Sequence, residues 1–162
     1  MAVDMFIQIG DLKGESKDDK HKGKFDVLAW SWGAAQQGTM HSGGGGGTGK
    51  VTVQDLSFTK HVDVGSHSLL QSLCEGKHHK EATLIVRKAA NGKPLEYITI
   101  KLEDVLVSSV STGGSGGEER LTENVTLNFA KFKFIYKEQD KAGAQAGGDK
   151  EYGYDVEANK PL

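Results

Sequence analysis

A glycine-rich run that ends in a lysine is the stretch of this sequence that most resembles a chemical site. Residues 44–51 read GGGGTGKV, which nearly matches the phosphate-binding pattern G-x-x-x-x-G-K-[ST]. Val51 occupies the position where a hydroxyl would ligate Mg²⁺. The apolar residues that follow predict a strand, whereas phosphate binding needs the amide dipoles of a helix N-terminus. Nucleotide hydrolysis through Lys50 is therefore an alternative that the pattern supports poorly.

Histidines and serines are the other residues whose chemistry has to be considered. The six histidines are His21, His41, His61, His67, His78 and His79. None forms H-E-x-x-H, and the neighbouring His78 and His79 would point to opposite faces of a strand. Serine is abundant, yet no G-x-S-x-G nucleophile elbow occurs. We therefore expect solvated histidines and a protein without catalytic residues, cofactor or metal.

Composition narrows the classes of protein further. The 162 residues fit one domain, residues 1–162, and a net charge of −2 argues against nucleic acid as a partner. Neither a signal peptide nor an apolar run of membrane-spanning length is visible, so we expect synthesis in a cytoplasm and no membrane insertion. The single cysteine, Cys74, excludes an intramolecular disulfide. Because it lies close to Leu70 and Leu73, we expect Cys74 to be buried.

The clearest structural signal is a pair of long strands between residues 93 and 137, joined by a glycine-rich turn over residues 111–117. Apolar residues alternate with polar ones along both strands, which buries one face and leaves the other in water. The alternation changes phase between Leu102 and Val105, and again between Phe129 and Phe132. Such a change marks a bulge or bend, and it favours a closed or strongly coiled sheet over a flat one.

The rest of the chain predicts more strands. They cover residues 4–9, 25–36 and 48–60, a hairpin over 81–103 with an Asn91-Gly92 turn, and an edge strand over 152–156 in the tail 139–162. Leu28, Trp30 and Trp32 share one strand face, which predicts core or subunit-interface positions. Residues 11–24 predict a solvated loop, and residues 37–50 a protruding glycine-rich loop.

One helix is predicted over residues 65–76. Ser66 or Ser68 can cap its N-terminus, Leu69 belongs to its narrow apolar stripe, and Gly76 ends it. Many strands with a single helix predict an all-β fold with one α-helix, arranged as a β-barrel of two curved sheets.

The long strand pair also resembles a known family. Pro94 to Ser111, PLEYITIKLEDVLVSSVS, and Glu118 to Tyr136, EERLTENVTLNFAKFKFIY, are similar to the haemolysin-coregulated protein family, Hcp, the tube protein of bacterial type VI secretion systems. The opening MAVDMFIQIGDLKGES and the helix region HSLLQSLCEGKHHKEATLIV resemble that family as well.

The resemblance implies an assembly. Hcp-like chains are expected to form hexameric rings with a wide channel that stack into a tube inside a contractile sheath. The tube is expected to be propelled out of the bacterial cytoplasm and to carry small effector proteins in the channel. Partners would then be the chain itself, effectors, and the sheath and spike-tip components.

The resemblance directs attention to two sets of residues. Candidates for contact with the channel and its cargo are Ser31, Ser111, Thr112 and Ser115. Candidates for ring stacking or subunit contact are Gly43, Gly44, Gly45, Gly46, Gly47, Asn91 and Gly92. The simpler interpretation of the turn 111–117 is a flexible hairpin end. The loop 37–50 is expected to be ordered by contact with a neighbouring subunit rather than alone, since its glycines offer almost no side-chain contacts. A monomeric β-barrel that binds a small apolar ligand and a hydrolase remain alternative functions, and the oligomeric state separates them from the tube subunit.

Overall fold

The computed structural model describes residues 3–38, 49–88, 94–141 and 144–162. These ranges contain eleven β-strands and one α-helix, joined by loops. The strands are β1 Val3–Ile9, β2 Phe25–Asp26, β3 Ala29–Ser31, β4 Ala34–Ala35, β5 Thr52–Val53, β6 Leu56–His61, β7 His78–Lys88, β8 Leu95–Gly113, β9 Thr122–Tyr136, β10 Lys150–Asp155 and β11 Lys160–Pro161, and the helix is α1 Ser66–Glu75. The predicted stacking residues Gly43, Gly44, Gly45, Gly46, Gly47, Asn91 and Gly92 lie outside the described residues.

Strand β9 is the centre of the main sheet. It pairs with β8 along one edge, and along the other edge it pairs first with β6 and then with β10. The remaining order from β8 is β7, β1 and β2. The chain from Phe25 to Ser31 pairs first with β1 and then, as β3, with β6. This crossing brings the two ends of the sheet together over one core, and the all-β fold with a single helix is confirmed.

The predicted phase change is present, and it extends across three strands. Leu102 and Val105 are both buried although they differ in parity, and Asp104 between them has a φ of 54°. The pairing of β8 with β9 keeps its register through this row, and β9 changes phase at the same level, between Phe129 and Phe132. In β7 the buried residues change parity between His79 and Ala82. Because three neighbouring strands bend in one row, the sheet curves there as a unit.

The core is one cluster of buried apolar side chains between the curved sheet and α1. Its members include Ile7, Phe25, Phe58, Leu69, Leu84, Ile100, Leu102, Val125 and Leu127, each at most 1% exposed. Leu69 is the side chain through which α1 enters this core cluster. Within the described ranges, no helix has the length and apolarity that a bilayer crossing requires.

Helix α1 has the predicted extent but not the predicted cap. Gly65 is the N-cap residue and has no side chain to cap with. Ser66 is already helical, and its Oγ accepts a hydrogen bond from the backbone of Asp63. A cap serine must precede the helix, which explains why the prediction of Ser66 or Ser68 was wrong. Gly76 ends the helix in the left-handed conformation, with a φ of 61°, as predicted.

Cys74 is exposed, which contradicts the predicted burial. The helix buries a narrow stripe that contains Leu69 and Ser72. Residues advance by about 100° each around a helix, so Cys74, five positions after Leu69, lies about 140° away from it. Leu70 is 50% exposed for the same reason.

The single strand predicted over residues 25–36 is also wrong, because the chain changes partner twice within it. It forms β2, β3 and β4, which pair with β1, β6 and β5. Trp30 and Trp32 pack against the core, whereas Leu28, at the crossing, is 44% exposed. The strand predicted over residues 48–60 likewise divides into β5 and β6.

The loop over residues 11–24 packs against the sheet, contrary to the prediction that it is solvated. Asp18 accepts hydrogen bonds from Arg87 of β7, with Oδ1 2.6 Å from Nη2. This contact holds the pKa of Asp18 down, at about 2. His21 is 4% exposed, stacks on Phe6 and bonds Glu96 at 2.8 Å. His79 is 4% exposed as well, so the prediction of solvated histidines fails for these two.

Candidate functional site, an uncharged face on four strands

Four strands bring small uncharged side chains, all but one of them polar, into two rows on the outer side of the sheet. In the first row Ser31 of β3 lies opposite Ser57, which lies opposite Thr126, which lies opposite Ser109. The second row runs Ala29, Thr59, Asn124 and Ser111 in the same strand order. We call these eight residues the hydroxyl face. Two predicted contact residues, Ser31 and Ser111, which are 80 positions apart in the chain, therefore lie on one surface.

The two-residue period of the strands explains why this face is polar. Phe58 and Val125, which alternate with the hydroxyl-face residues of β6 and β9, are at most 1% exposed. Trp30 and Val110 pack against the same core from β3 and β8. Because successive side chains in a strand point to opposite sides, burial of the apolar set leaves serine, threonine and asparagine outside.

Hydrogen bonds between neighbouring strands order the side chains of the hydroxyl face. Thr59 Oγ1 donates to Asn124 Oδ1 at 2.7 Å. Thr126 Oγ1 lies 2.7 Å from Ser108 Oγ, which donates to Asp55 Oδ2 at 2.7 Å. The surface therefore presents hydroxyl and amide groups in set positions, able to donate and accept hydrogen bonds from a bound polypeptide.

The other two predicted contact residues lie at the end of β8 and in the turn that follows it. Thr112 pairs with the inward Glu123, so its side chain is on the opposite side of the strand from Ser111. Thr112 Oγ1 donates to the Thr122 carbonyl at 3.3 Å, and the Ser115 carbonyl accepts from Glu118 N at 3.2 Å. Ser111, Thr112, Ser115 and Asn124 line one depression of about 440 Å³. Ser111, Thr112 and Ser115 thus border one depression, and Ser31 lies on the same face as Ser111, separated from it by β6 and β9.

The turn itself is held by close packing. A Cβ atom on Gly114 would lie 2.4 Å from Leu121 Cδ2, so glycine lets these two residues touch across the turn. Leu121 also accepts a backbone hydrogen bond from Val62 at 2.9 Å. The turn that carries Ser115 is therefore attached to the chain that follows β6.

A buried charged cluster lies at the base of the same turn, and sequence reasoning missed it. Lys60 is 0% exposed, and its Nζ lies 3.0 Å from Asp63 Oδ1 and 3.6 Å from Glu123 Oε2. Ser66 Oγ donates to Glu123 Oε2, and the Lys60 ammonium lies 5.1 Å from the centre of the Phe25 ring. The cluster ties β6, β9 and the first turn of α1 together.

A signal for this cluster was present in the sequence. Lys60 continues the inward set that begins with Leu56 and Phe58, and Glu123 begins the inward set that continues with Val125. A charged residue at an inward position of a strand is rarely buried unless it is paired with an opposite charge. Lys60 and Glu123, both at inward positions and opposite in charge, are therefore predicted to pair with each other.

Charge divides the outer side of the sheet at the bend. The hydroxyl face has no ionisable side chain among its eight residues. Beyond the Asp104 row the same strands carry Lys101 opposite Lys133 and Glu103 opposite Lys131. Lys133 pairs with Glu151 at 3.2 Å. The eight-residue hydroxyl face therefore adjoins one carboxylate, Asp55, which bonds Ser108 and Asn128, and beyond the bend it gives way to a strongly charged surface.

The described residues give no support to the chemical alternatives. Lys50 is followed by the strand β5, as predicted, so no helix N-terminus is available to bind phosphate beside it. No group of three or more His, Cys, Asp or Glu residues in the described ranges could hold a metal ion. What the hydroxyl face can do is form hydrogen bonds with a partner.

The fold is a curved, mostly β architecture with one helix and two outward rows of small uncharged side chains. Comparison with known proteins identifies the family. The sequence profile of the family described as "Type VI secretion system effector, Hcp" matches residues 6–136. The chain is 58% identical to Protein hcp1 of Pseudomonas aeruginosa over 159 residues, which cover 98% of each chain.

Solved structures agree. The crystal structure of Hcp1 from Salmonella typhimurium superimposes with a TM-score of 0.83 at 40% identity, covering 100% of both chains. A structure described as a type six secretion system protein gives a TM-score of 0.92 at 32% identity, covering 99% of this chain and 100% of that one. The chain belongs to the Hcp family, the tube proteins of type VI secretion systems.

Proposed function

We propose that the chain forms homohexameric rings that stack into a secreted tube, and that the hydroxyl face lines the channel and contacts small effector proteins. Membership of the Hcp family supports the assembly. The observation that carries the assignment of the channel wall is the double row of small uncharged side chains from Ser31 to Ser111, continuous with the depression at Ser115.

The chemistry of this face suits a channel that must hold cargo and also release it. A fixed charge would repel part of the possible cargo and bind another part tightly. Hydroxyl groups contribute single hydrogen bonds of about 0.5–1.5 kcal/mol each. Six copies of such a surface around one channel would retain cargo through the sum of weak contacts.

Ring closure needs two different surfaces on each subunit, because rotation about an axis joins unlike patches. A net charge of −2 opposes such self-association only weakly. We assign ring stacking to the glycines 43–47 and to the turn Asn91-Gly92 on sequence grounds. Sheath and spike-tip components are the further partners that family membership suggests.

The mass of the purified particle tests the assembly. A hexamer should scatter light as a species of about 104 kDa, six times the 17.4 kDa chain, and should form annular images in negative stain. A stable monomer at micromolar concentration would contradict the proposal.

Shortening the glycine run 43–47 should weaken stacking of rings and leave the hexamer intact, whereas loss of the hexamer would contradict the assignment of this run to stacking.

A bulky substitution tests the channel wall. Ser115→Trp should reduce retention of a small effector from the same secretion system, because an indole fills the depression that Ser115 lines. Ser68→Trp is the matched control, since Ser68 lies on α1, away from the hydroxyl face. Equal cargo retention by intact rings of both variants would remove the Ser115 turn from the cargo site.

A further inference from the structure

A buried histidine joins helix α1 to the sheet, and it lies outside the hydroxyl face to which cargo contact is assigned. His79 of β7 is 4% exposed and Ser72 of α1 is 2% exposed, with His79 Nε2 3.1 Å from Ser72 Oγ. Ser72 and Leu69 are the two buried residues of the helix. The hydrogen bond to His79 is therefore the polar contact of the buried stripe of α1, whereas the first turn of the helix is held separately through Ser66 and Glu123.

The other side of the imidazole is closed by the chain after β1. A Cβ atom on Gly10 would lie 2.7 Å from His79 Nδ1, and Gly10 has a φ of 52° that favours glycine. Gly10 N donates to the carbonyl of Glu81 at 2.8 Å, which holds this segment against β7. The ring is therefore enclosed between α1 and the segment after β1, and a charge on it would have little access to water.

We infer that His79 is an acid-sensitive latch, which docks helix α1 while its imidazole is neutral and releases the helix when the imidazole is protonated. The geometry carries this inference: an enclosed ring, one hydroxyl partner and a helix with a single other buried residue. A helix of ten residues is marginal without tertiary contacts, so loss of docking should melt α1.

The groups around His79 set the direction of the effect. Burial lowers the pKa of His79 below its ordinary value of 6.5, and the positive charge of Lys77 lowers it further. Asp11 acts in the opposite direction, and His78 adds a lowering contribution. His78 lies on the exposed side, where its Nδ1 is 3.0 Å from Asp104 Oδ1.

The pH window follows from these signs. The unfolded helix region leaves His79 free to bind a proton near pH 6.5, whereas the docked state resists it. The docked state is therefore fully favoured above that pH and loses stability as the pH falls below it. Asp18 has a pKa of about 2 and acts only in stronger acid. Burial raises the pKa of Asp26, so its protonation in acid favours the folded state, with the opposite sign.

Hydrogen exchange tests the latch in the full chain in its native assembly. Between pH 7.5 and pH 5, protection factors of residues 66–76 should fall by up to about tenfold per pH unit, the limit for one linked proton. The fall should be confined to α1 and the residues beside it. His79→Gln, whose amide does not titrate in this range, should remove the pH dependence.

His78→Gln is the matched control, because it removes the neighbouring exposed imidazole and should keep the wild-type response. Identical pH profiles for wild type and His79→Gln would overturn the inference, as would a wild-type helix whose protection does not change with pH. If the His79→Gln variant fails to fold, an NMR titration of His79 in the wild-type chain tests whether protonation of His79 releases α1. A midpoint well below that of free histidine, in step with loss of α1 protection, supports the latch, and a midpoint at the free value refutes it.

Light scattering at each pH distinguishes release of α1 within an intact particle from dissociation of the particle. Loss of α1 protection while the particle mass stays constant supports the latch whether that mass is a hexamer or a monomer. Loss of protection only where the particle dissociates, and equally in His79→Gln, would assign the effect to assembly and refute the latch.

Discussion

Replacement of Lys60 by methionine should be the most damaging single change in the charged cluster. Methionine keeps the length and apolar volume of the side chain but removes the only cation beside Asp63 and Glu123 in the described structure. The side chains of these acids are 7% and 3% exposed, and both would remain buried without their positive partner. Removal of one partner from a buried ion pair costs about 3–5 kcal/mol.

That cost translates into a measurable change in melting temperature. For chains of this size each kcal/mol shifts Tm by about 2–4 °C, so Lys60→Met should lower Tm by about 6–20 °C. Lys133→Met is the matched control, because Lys133 and Glu151 are 41% and 45% exposed. An exposed pair contributes about 0–1 kcal/mol, so the control should shift Tm by at most about 4 °C.

Differential scanning calorimetry at one protein concentration and pH 7 makes the comparison, with the particle mass of each variant checked first. The double variant Lys60→Met/Glu123→Gln should recover part of the loss, since it removes one of the two unpaired carboxylates. The turn 114–121 should lose amide protection in Lys60→Met, because Glu123 lies at its base. A loss in Lys60→Met no larger than in Lys133→Met would refute the view that Lys60 compensates buried charge.

Three further outcomes are expected. Gly65→Ala should destabilise the fold by about 1–3 kcal/mol in denaturant titration, because its Cβ would lie 2.4 Å from the Lys13 carbonyl oxygen; Gly116→Ala, with open space around it, should be neutral, and equal effects would contradict this. Leu69→Ala should cost about 2–5 kcal/mol, since Leu69 is 0% exposed; a loss below about 1 kcal/mol would contradict its core position. Asp18 contributes stability that is lost between about pH 4 and pH 2, so the acid limb of stability against pH should flatten in Asp18→Asn, and an unchanged limb would disprove the contact.

Local pattern was sufficient for the long strands and for the extent of the helix. Alternation located β1, β7, β8 and β9, and the phase change at Leu102 and Val105 located the bend, because side-chain parity is a property of the strand itself. Gly76 marked the end of α1 because a left-handed residue favours glycine wherever it occurs. The same pattern misjudged Cys74, since a cluster of apolar letters in a short helix does not specify which of them faces the core.

Partners that are distant in sequence were decided only by the tertiary structure. Residues 25–36 alternate like one strand, yet the chain pairs first with β1, then with β6 and then with β5, and these partners lie far away in the sequence. The burial of Lys60 depends on Glu123, and the burial of His79 depends on Ser72, which lie on other elements. The free-energy cost of burying a polar group depends on the partner with which it forms a hydrogen bond or ion pair. Composition and the alternation of apolar residues therefore cannot predict which polar groups are buried.

The candidate site shows the same division. From the sequence alone, Ser31, Ser111, Thr112 and Ser115 were separate polar residues that family resemblance singled out. Their common surface exists because register places Ser57 and Thr126 between β3 and β8, and register depends on long-range pairing. Sequence by itself determined that these strands have a polar side, and the folded sheet determined that their polar sides join into one uncharged face.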